Sequence, residues 1–164
     1  VKDSIRIGGN KLDETIAAYI KKTYNLMIGD QAAEEVKIQV ASAIHMAEQL
    51  ETSVRGRDQV IGLPRSVTIH TNEIVDAISE PINAIVEAVK SVLEQTPPEL
   101  ASDIIDKGMI MTGGGSLLRG LDRLMTQATG IPCYVADNPL NCVALGTGRA
   151  LEILPALKWS LLAV

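Results

Sequence analysis

Residues 109–121 read Met-Ile-Met-Thr-Gly-Gly-Gly-Ser-Leu-Leu-Arg-Gly-Leu, a short apolar strand that runs into three glycines and then into a helix predicted to start at Ser116. Without a Cβ, Gly113, Gly114 and Gly115 can take positive φ and let a ligand approach the backbone closely. The helix N-terminus behind them offers unpaired N–H groups and a partial positive charge. Phosphate or a nucleotide edge suits such a turn. So does a tight strand-to-helix connection with no ligand, and the glycines alone do not separate the two.

The chain around this turn has 164 residues, enough for one domain or two small subdomains with a real core. It holds no Phe, one Trp and three Tyr, so that core must be built from Ile, Val, Leu, Met and Ala. A net charge of −5 with scattered basic residues argues against nucleic acid as a partner, because phosphate-backbone binding needs a concentrated positive surface. No apolar run reaches the roughly 20 residues of a membrane helix, and the first residues lack the order of a signal peptide. A cytosolic protein is the default expectation. Cys133 and Cys142 have neither metal-ligand spacing nor enough partners for a disulfide framework, and read as reduced, buried thiols. His45, placed in a helix, and His70, at a strand end, lack the further ligands of a metal site.

Upstream, Val1 to Ile7 alternates as a strand until Gly8-Gly9-Asn10 breaks it. A helix follows with Leu12, Ile16, Tyr19 and Ile20 on one face and Asp13 and Glu14 in its first turn, ending before Gly29. A second helix, capped by Asp30, carries Val36, Val40, Ala43, Ile44 and Ala47 at helical spacing. Ser53 to Ile69 turns short and strand-like, with Arg55-Gly56-Arg57-Asp58 read first as a polar turn that strains Gly56 and second as a contact between copies of the chain, and Gly62-Leu63-Pro64 as another turn. Asn72 is expected to cap a short helix over Glu73 to Ile78. Ser79-Glu80-Pro81 opens one that buries Ile82, Ile85, Val86, Val89 and Leu93 and stops at Pro97-Pro98. Glu99, Asp103 and Asp106 then read as a solvated segment. Beyond the glycine turn come a helix of Leu117, Leu118, Leu121, Leu124 and Met125, a strand at Pro132 to Ala136, and a last helix near Asn141 in which Gly146 and Gly148 read as close-packing positions.

Several of these segments, in this order and spacing, resemble the MreB/Mbl family of bacterial actin-like proteins: Glu34-Glu35-Val36-Lys37, Val54-Arg55-Gly56-Arg57-Asp58, Gly62-Leu63-Pro64, Leu93-Glu94-Gln95-Thr96-Pro97-Pro98-Glu99-Leu100, Thr112-Gly113-Gly114-Gly115 and Gly146-Thr147-Gly148-Arg149-Ala150-Leu151-Glu152. The resemblance runs from about Ser4 to Glu152 and covers the C-terminal half of such a protein. It implies an α/β, actin-like ATPase fold of the ribonuclease-H-like kind. Residues 1–30 plus 80–152 would form the larger subdomain, 31–79 a smaller inserted α+β subdomain, and 153–164 a C-terminal tail. In such proteins a nucleotide sits in a cleft between two halves, and this chain would supply one wall. Gly113, Gly114, Gly115, Ser116 and Leu117 would lie against the adenosine and α-phosphate side of ATP, and Glu34, Glu35, Val36 and Lys37 toward ribose and adenine. Glu34 and Lys37 stand one helical turn apart, so both project from one face. A carboxylate accepting from ribose hydroxyls and an ammonium beside an acceptor suit that task. Taken alone, the two read first as an exposed i,i+3 ion pair.

Hydrolysis needs a magnesium-bound triphosphate and a group that orients water. In the family those come from phosphate hairpins and a catalytic acidic residue in the half ahead of Val1, so no catalytic residue and no metal ligand is assigned here, and Mg2+ is expected through that other half. The resemblance further implies a weak ATPase when whole, a filament-former that is cytoplasmic, works at the inner face of the cell membrane and organises cell-wall synthesis to hold rod shape. Its partners would be copies of itself, the membrane surface, RodZ, MreC and MreD. An Hsp70-type chaperone ATPase shares the glycine turn and the Glu-x-x-Lys pair, but Val54 to Asp58 and Thr96-Pro97-Pro98-Glu99 disfavour it. A non-catalytic remnant that binds filament ends is the third reading. Gln31 and Ala32 stand where family members carry Arg-Thr, removing a cap worth about 1 kcal/mol. The apolar tail from Leu154 to Val164 reads most simply as packing against the body, with a docking helix or a weak membrane contact as the alternatives. With preceding strands absent, the larger sheet is expected to show an uncovered edge, and the chain to be marginally stable or to associate.

Overall fold

The computed structural model describes residues 1–154, so the tail from 155 onward, expected to pack against the body, lies outside the described residues. Helix α1 (Gly9–Tyr24) buries Leu12, Ile16 and Ile20 at helical spacing and ends where Asn25 turns left-handed at φ 53. Because it starts at Gly9, Asp13 and Glu14 fall beyond its first turn. After the short β1 (Leu26–Met27), α2 (Asp30–Val40) buries Ala33, Val36 and Val40. Gly29 occupies the N-cap expected of Asp30, and Asp30 instead places its charge in the first turn, beside the positive end of the helix. The helix stops at Val40 rather than reaching Ala47, and His45 lies in the following loop.

Strands β2 (Glu51–Asp58) and β3 (Pro64–His70) form an antiparallel hairpin, and β1 joins the other edge of β2 with Met27 opposite Arg57. Arg55 to Asp58, expected as a turn, is therefore strand, and the reversal occupies 59–63. Gly56 is not strained. A Cβ there would stand 2.3 Å from the Met27 carbonyl oxygen and 2.9 Å from Leu26 Cγ, so its missing side chain is what lets β1 close on β2. The reversal is organised by Asp58, whose Oδ1 accepts from the Val60 N–H (2.8 Å) and the Ile61 N–H (3.2 Å) while Oδ2 lies 3.1 Å from Arg65. Those two N–H groups, with Arg65 adding to them, hold its carboxyl below the usual carboxylate range.

Helix α3 (Thr71–Ala77) leads into α4 (Ser79–Glu94). Asn72, expected as a cap, sits inside α3 and holds the preceding loop instead: its Oδ1 accepts from the Met46 N–H and its amide donates to the Met46 carbonyl. Glu73 reaches back to the His70 N–H at 2.6 Å, and its other oxygen accepts from the hydroxyls of Tyr19 (2.8 Å) and Tyr24 (2.6 Å), which clasps α1 to α3. Burial first, then these bonds, raise both phenols above their ordinary range. Residues beyond the proline pair form α5 (Pro98–Lys107), a regular helix that buries nothing. Then β4 (Met109–Met111) pairs in parallel with β5 (Cys133–Val135), with α6 (Leu121–Thr129) between them and α7 (Cys142–Glu152) after. Gly146 and Gly148 are not packing sites among the described residues, since a Cβ at either would meet open space.

Two aliphatic cores result. The first draws on α1, α2, the three-stranded sheet, α3 and the start of α4, with Ile16, Ile20, Leu26, Ile69, Ile74 and Ile78 fully buried. The second gathers Val86, Leu121, Met125 and Cys133, and burial raises the Cys133 thiol. Ala43, Ile85, Leu118 and Leu124 pack against both. Val1 to Ile7 forms no strand: it passes β4 without a ladder partner, leaving β4 and β5 as a two-stranded sheet with Ile110 63% exposed. Apolar clefts of about 340 and 360 Å³ flank β4.

Gly56→Ala should destabilise the chain by about 1–3 kcal/mol through the clash with β1, read as a lower denaturant midpoint. An unchanged midpoint would show that β1 can move away freely. Asp58→Asn should lower stability at neutral pH. Because the folded-state carboxyl titrates lower than the unfolded one, its contribution is present above about pH 4 and is lost as pH falls below that. The gap between variant and parent should therefore close on acidification in pH-dependent melts.

Candidate functional site

At the end of β4 the backbone must turn sharply, and Gly113 does so at φ 84 and ψ 170, outside the range of residues with a Cβ. Its N–H donates to the Pro139 carbonyl at 2.8 Å. Gly114–Leu117 then form a single 3₁₀ turn, with Ser116 buried and its hydroxyl donating to the Gly113 carbonyl at 2.7 Å. Gly114 and Gly115 are exposed, as is Leu117 at 56%. The helix predicted from Ser116 does not begin until Leu121, after Leu118 has extended and Gly120 has turned left-handed at φ 70. Of the three glycines only Gly113 takes positive φ. The turn presents its own backbone, and no long helix stands directly behind it.

On α2, Glu34 and Glu35 are exposed, Val36 is in the first core at 2% exposure, and Lys37 is half-buried. The exposed i,i+3 pair does not form. Lys37 Nζ instead lies 2.8 Å from Asp13 Oδ2 on α1, with side-chain exposures of 17% and 14%, and close against Gly9, whose Cβ position is 3.2 Å from Nζ. Among the described residues Glu34 makes no ion pair, which leaves its carboxylate available. Asp13 Oδ1 is buried with no hydrogen-bond partner, an uncompensated lone pair that this pairing has to carry.

The structure also connects α2 with the segment that follows the glycine turn. Ser42 and Arg119 form a parallel β-bridge, and the Ala43 N–H donates to the Arg119 carbonyl at 2.8 Å. Asp13, Ser42 and Arg119 carried no sequence signal of this role, because each works through a partner distant in the chain. Among the described residues no group of three His, Cys, Asp or Glu side chains is placed to hold a metal ion, and no helix is long and apolar enough to cross a membrane.

Taken together, the fold is that of one half of a bacterial actin-like protein. The chain belongs to the MreB/Mbl protein family, whose model matches residues 1–158. It is 49% identical over 154 residues to the cell shape-determining protein Mbl of Bacillus subtilis (strain 168), covering 94% of this chain and 46% of Mbl. To the cell shape-determining protein MreB of Escherichia coli (strain K12) it is 51% identical over 151 residues, 92% of this chain and 44% of that protein. The crystal structure of MreB5 of Spiroplasma citri bound to ADP superposes with a TM-score of 0.89 at 36% identity, covering 93% of this chain and 46% of MreB5. The chain thus spans under half the length of the curated relatives it matches. Membership of this family takes the place of the Hsp70-type alternative.

Lys37→Met should cost roughly 2–4 kcal/mol, a little less than breaking a fully buried pair, because it strands the Asp13 carboxylate with neither oxygen partnered. In denaturant melts the double variant Asp13→Ala with Lys37→Met should recover part of the loss. Strict additivity would remove the case for coupling.

Proposed function

We propose that this chain forms one wall of the adenine-nucleotide cleft of a filament-forming cell-shape protein. The observation that supports the reading is the link, through the Ser42–Arg119 bridge, between the loop after α2, the helix that carries an unpaired Glu34 and a held Lys37, and the segment that follows the backbone turn 113–117, in a chain similar to MreB5, which was solved with ADP. Glu34 would accept from the ribose hydroxyls and Lys37 would stand beside an adenosine acceptor, Glu35 and Val36 setting the helix edge around them. Gly113, Gly114, Gly115, Ser116 and Leu117 would lie along the adenosine and α-phosphate, the exposed glycines admitting the ligand to backbone N–H groups. Mg2+ and the groups that orient water would come from the rest of such a protein, and hydrolysis is assigned to no residue of this chain.

The whole protein would assemble with copies of itself at the inner face of the cytoplasmic membrane, with RodZ, MreC and MreD as further partners, and organise cell-wall synthesis. Support for this wider role is membership of a family whose relatives MreB and Mbl are cell shape-determining proteins. Residues 1–30 with 80–152 would act as the larger subdomain and 31–79 as the smaller.

Titration with ATP tests the cleft. Glu34→Gln and Gly113→Val should each weaken binding by about tenfold, the loss of roughly 1.4 kcal/mol of contact or positioning. A folded Gly113→Val chain that binds ATP as the parent does would overturn the assignment.

A further inference from the structure

The proposed wall is made of two pieces about 80 residues apart in sequence, and beside the apolar residues that pack on both cores a polar contact joins them at Arg119. Arg119 lies two residues past the 3₁₀ turn. Its Nη1 donates to the carbonyls of Ile38 (3.0 Å) and Ala41 (3.3 Å), groups at the C-terminal end of α2 that an α-helix leaves without an internal partner. A guanidinium there also meets the negative end of the helix. The backbone of the same residue makes the bridge to Ser42, whose Oγ is buried 2.7 Å from the Ile44 carbonyl and 3.2 Å from that of Arg119. Gly120 completes the contact, since a Cβ at its left-handed backbone would stand 2.6 Å from Ile44 Cγ1. One residue thus ends α2, fixes the loop behind it and sets the exit of the glycine turn.

We propose that Arg119 is the positioning residue of the nucleotide wall, holding α2 and the turn 113–117 at a fixed separation so that Glu34 and the glycine backbone engage one ligand together. The inference rests on the nucleotide-wall reading above. Arg119 need not touch the nucleotide. Loss of its side chain removes the two bonds to the end of α2 while the backbone bridge stays, which loosens one piece against the other, so the ligand must bear the entropy of realigning them.

The test is a set of ATP titrations on the parent chain, Arg119→Met, Arg119→Lys, Glu34→Gln and the double variant Arg119→Met with Glu34→Gln, with melts run alongside. Arg119→Met should weaken ATP binding about fivefold to tenfold, and Arg119→Lys, which keeps one charged donor, should recover part of it. In the Arg119→Met background the Glu34→Gln penalty should shrink to less than about twofold, because a displaced Glu34 has little left to lose. A purely structural role would lower the melt and leave that penalty intact. Parent-like affinity in Arg119→Met, or additive penalties in the double variant, would overturn the inference while leaving the nucleotide wall standing. A parent chain that binds no ATP, or a Glu34→Gln variant that binds like the parent, removes the wall and the inference with it. Should Arg119→Met fail to fold, the same cycle run with Arg119→Lys decides between these outcomes.

Discussion

The chain contains two hydrophobic cores, and beside Ala43, Ile85 and Leu124, which pack on both, they are joined by the seam at residues 118–120. Leu118 packs against both cores, the Arg119 backbone bridges to Ser42, and Gly120 turns where a side chain would collide with Ile44. Each contact satisfies a constraint that neither side can meet alone. Helix α2 ends with carbonyls that need donors, and the loop behind it needs a backbone partner. The segment after β4 must leave the sheet without a helix to receive it. The same few residues answer all of these needs.

Most of the element types could be read from the sequence because aliphatic spacing is a strong signal. Leu12, Ile16 and Ile20 show the helical period, and the β-branched run through Val67 and Ile69 marks the hairpin. Boundaries went astray where a distant partner decided them. Helix α2 looks continuous to Ala47, yet it ends at Val40, where Arg119 donates to the Ala41 carbonyl from 78 residues away. Arg55 to Asp58 has turn composition, but β1 supplies the pairing that makes it strand, and Gly56 is there for the approach of Met27. Val1 to Ile7 alternates like a strand and finds no neighbour to pair with among the described residues.

The candidate site shows the same division. The glycines could be found because their composition is unusual, and the positive φ at Gly113 matches what a triple glycine permits. That the following helix starts five residues late could not be read, since Ser116 to Leu118 has ordinary helical spacing and only the bridge to Ser42 draws it out straight. The Lys37 partner was equally hidden. Local spacing pointed to Glu34, whereas tertiary packing brings Asp13 of α1 within 2.8 Å and frees Glu34.

The first core has a further property that follows from its makeup: every buried member lies between Leu12 and Ile82, an unbroken stretch of chain. During synthesis, where N-terminal units close first, the buried members of that core can come together before Leu121, Met125 and Cys133 of the second leave the ribosome. Arg119 then meets an α2 end that is already in place, and the seam becomes the closing event of assembly. A ribosome-stalled chain released short of residue 119 would carry the buried members of the first core without the cover of Leu124, the stage at which a chaperone or a second nascent chain has the greatest opportunity to bind in the wrong place.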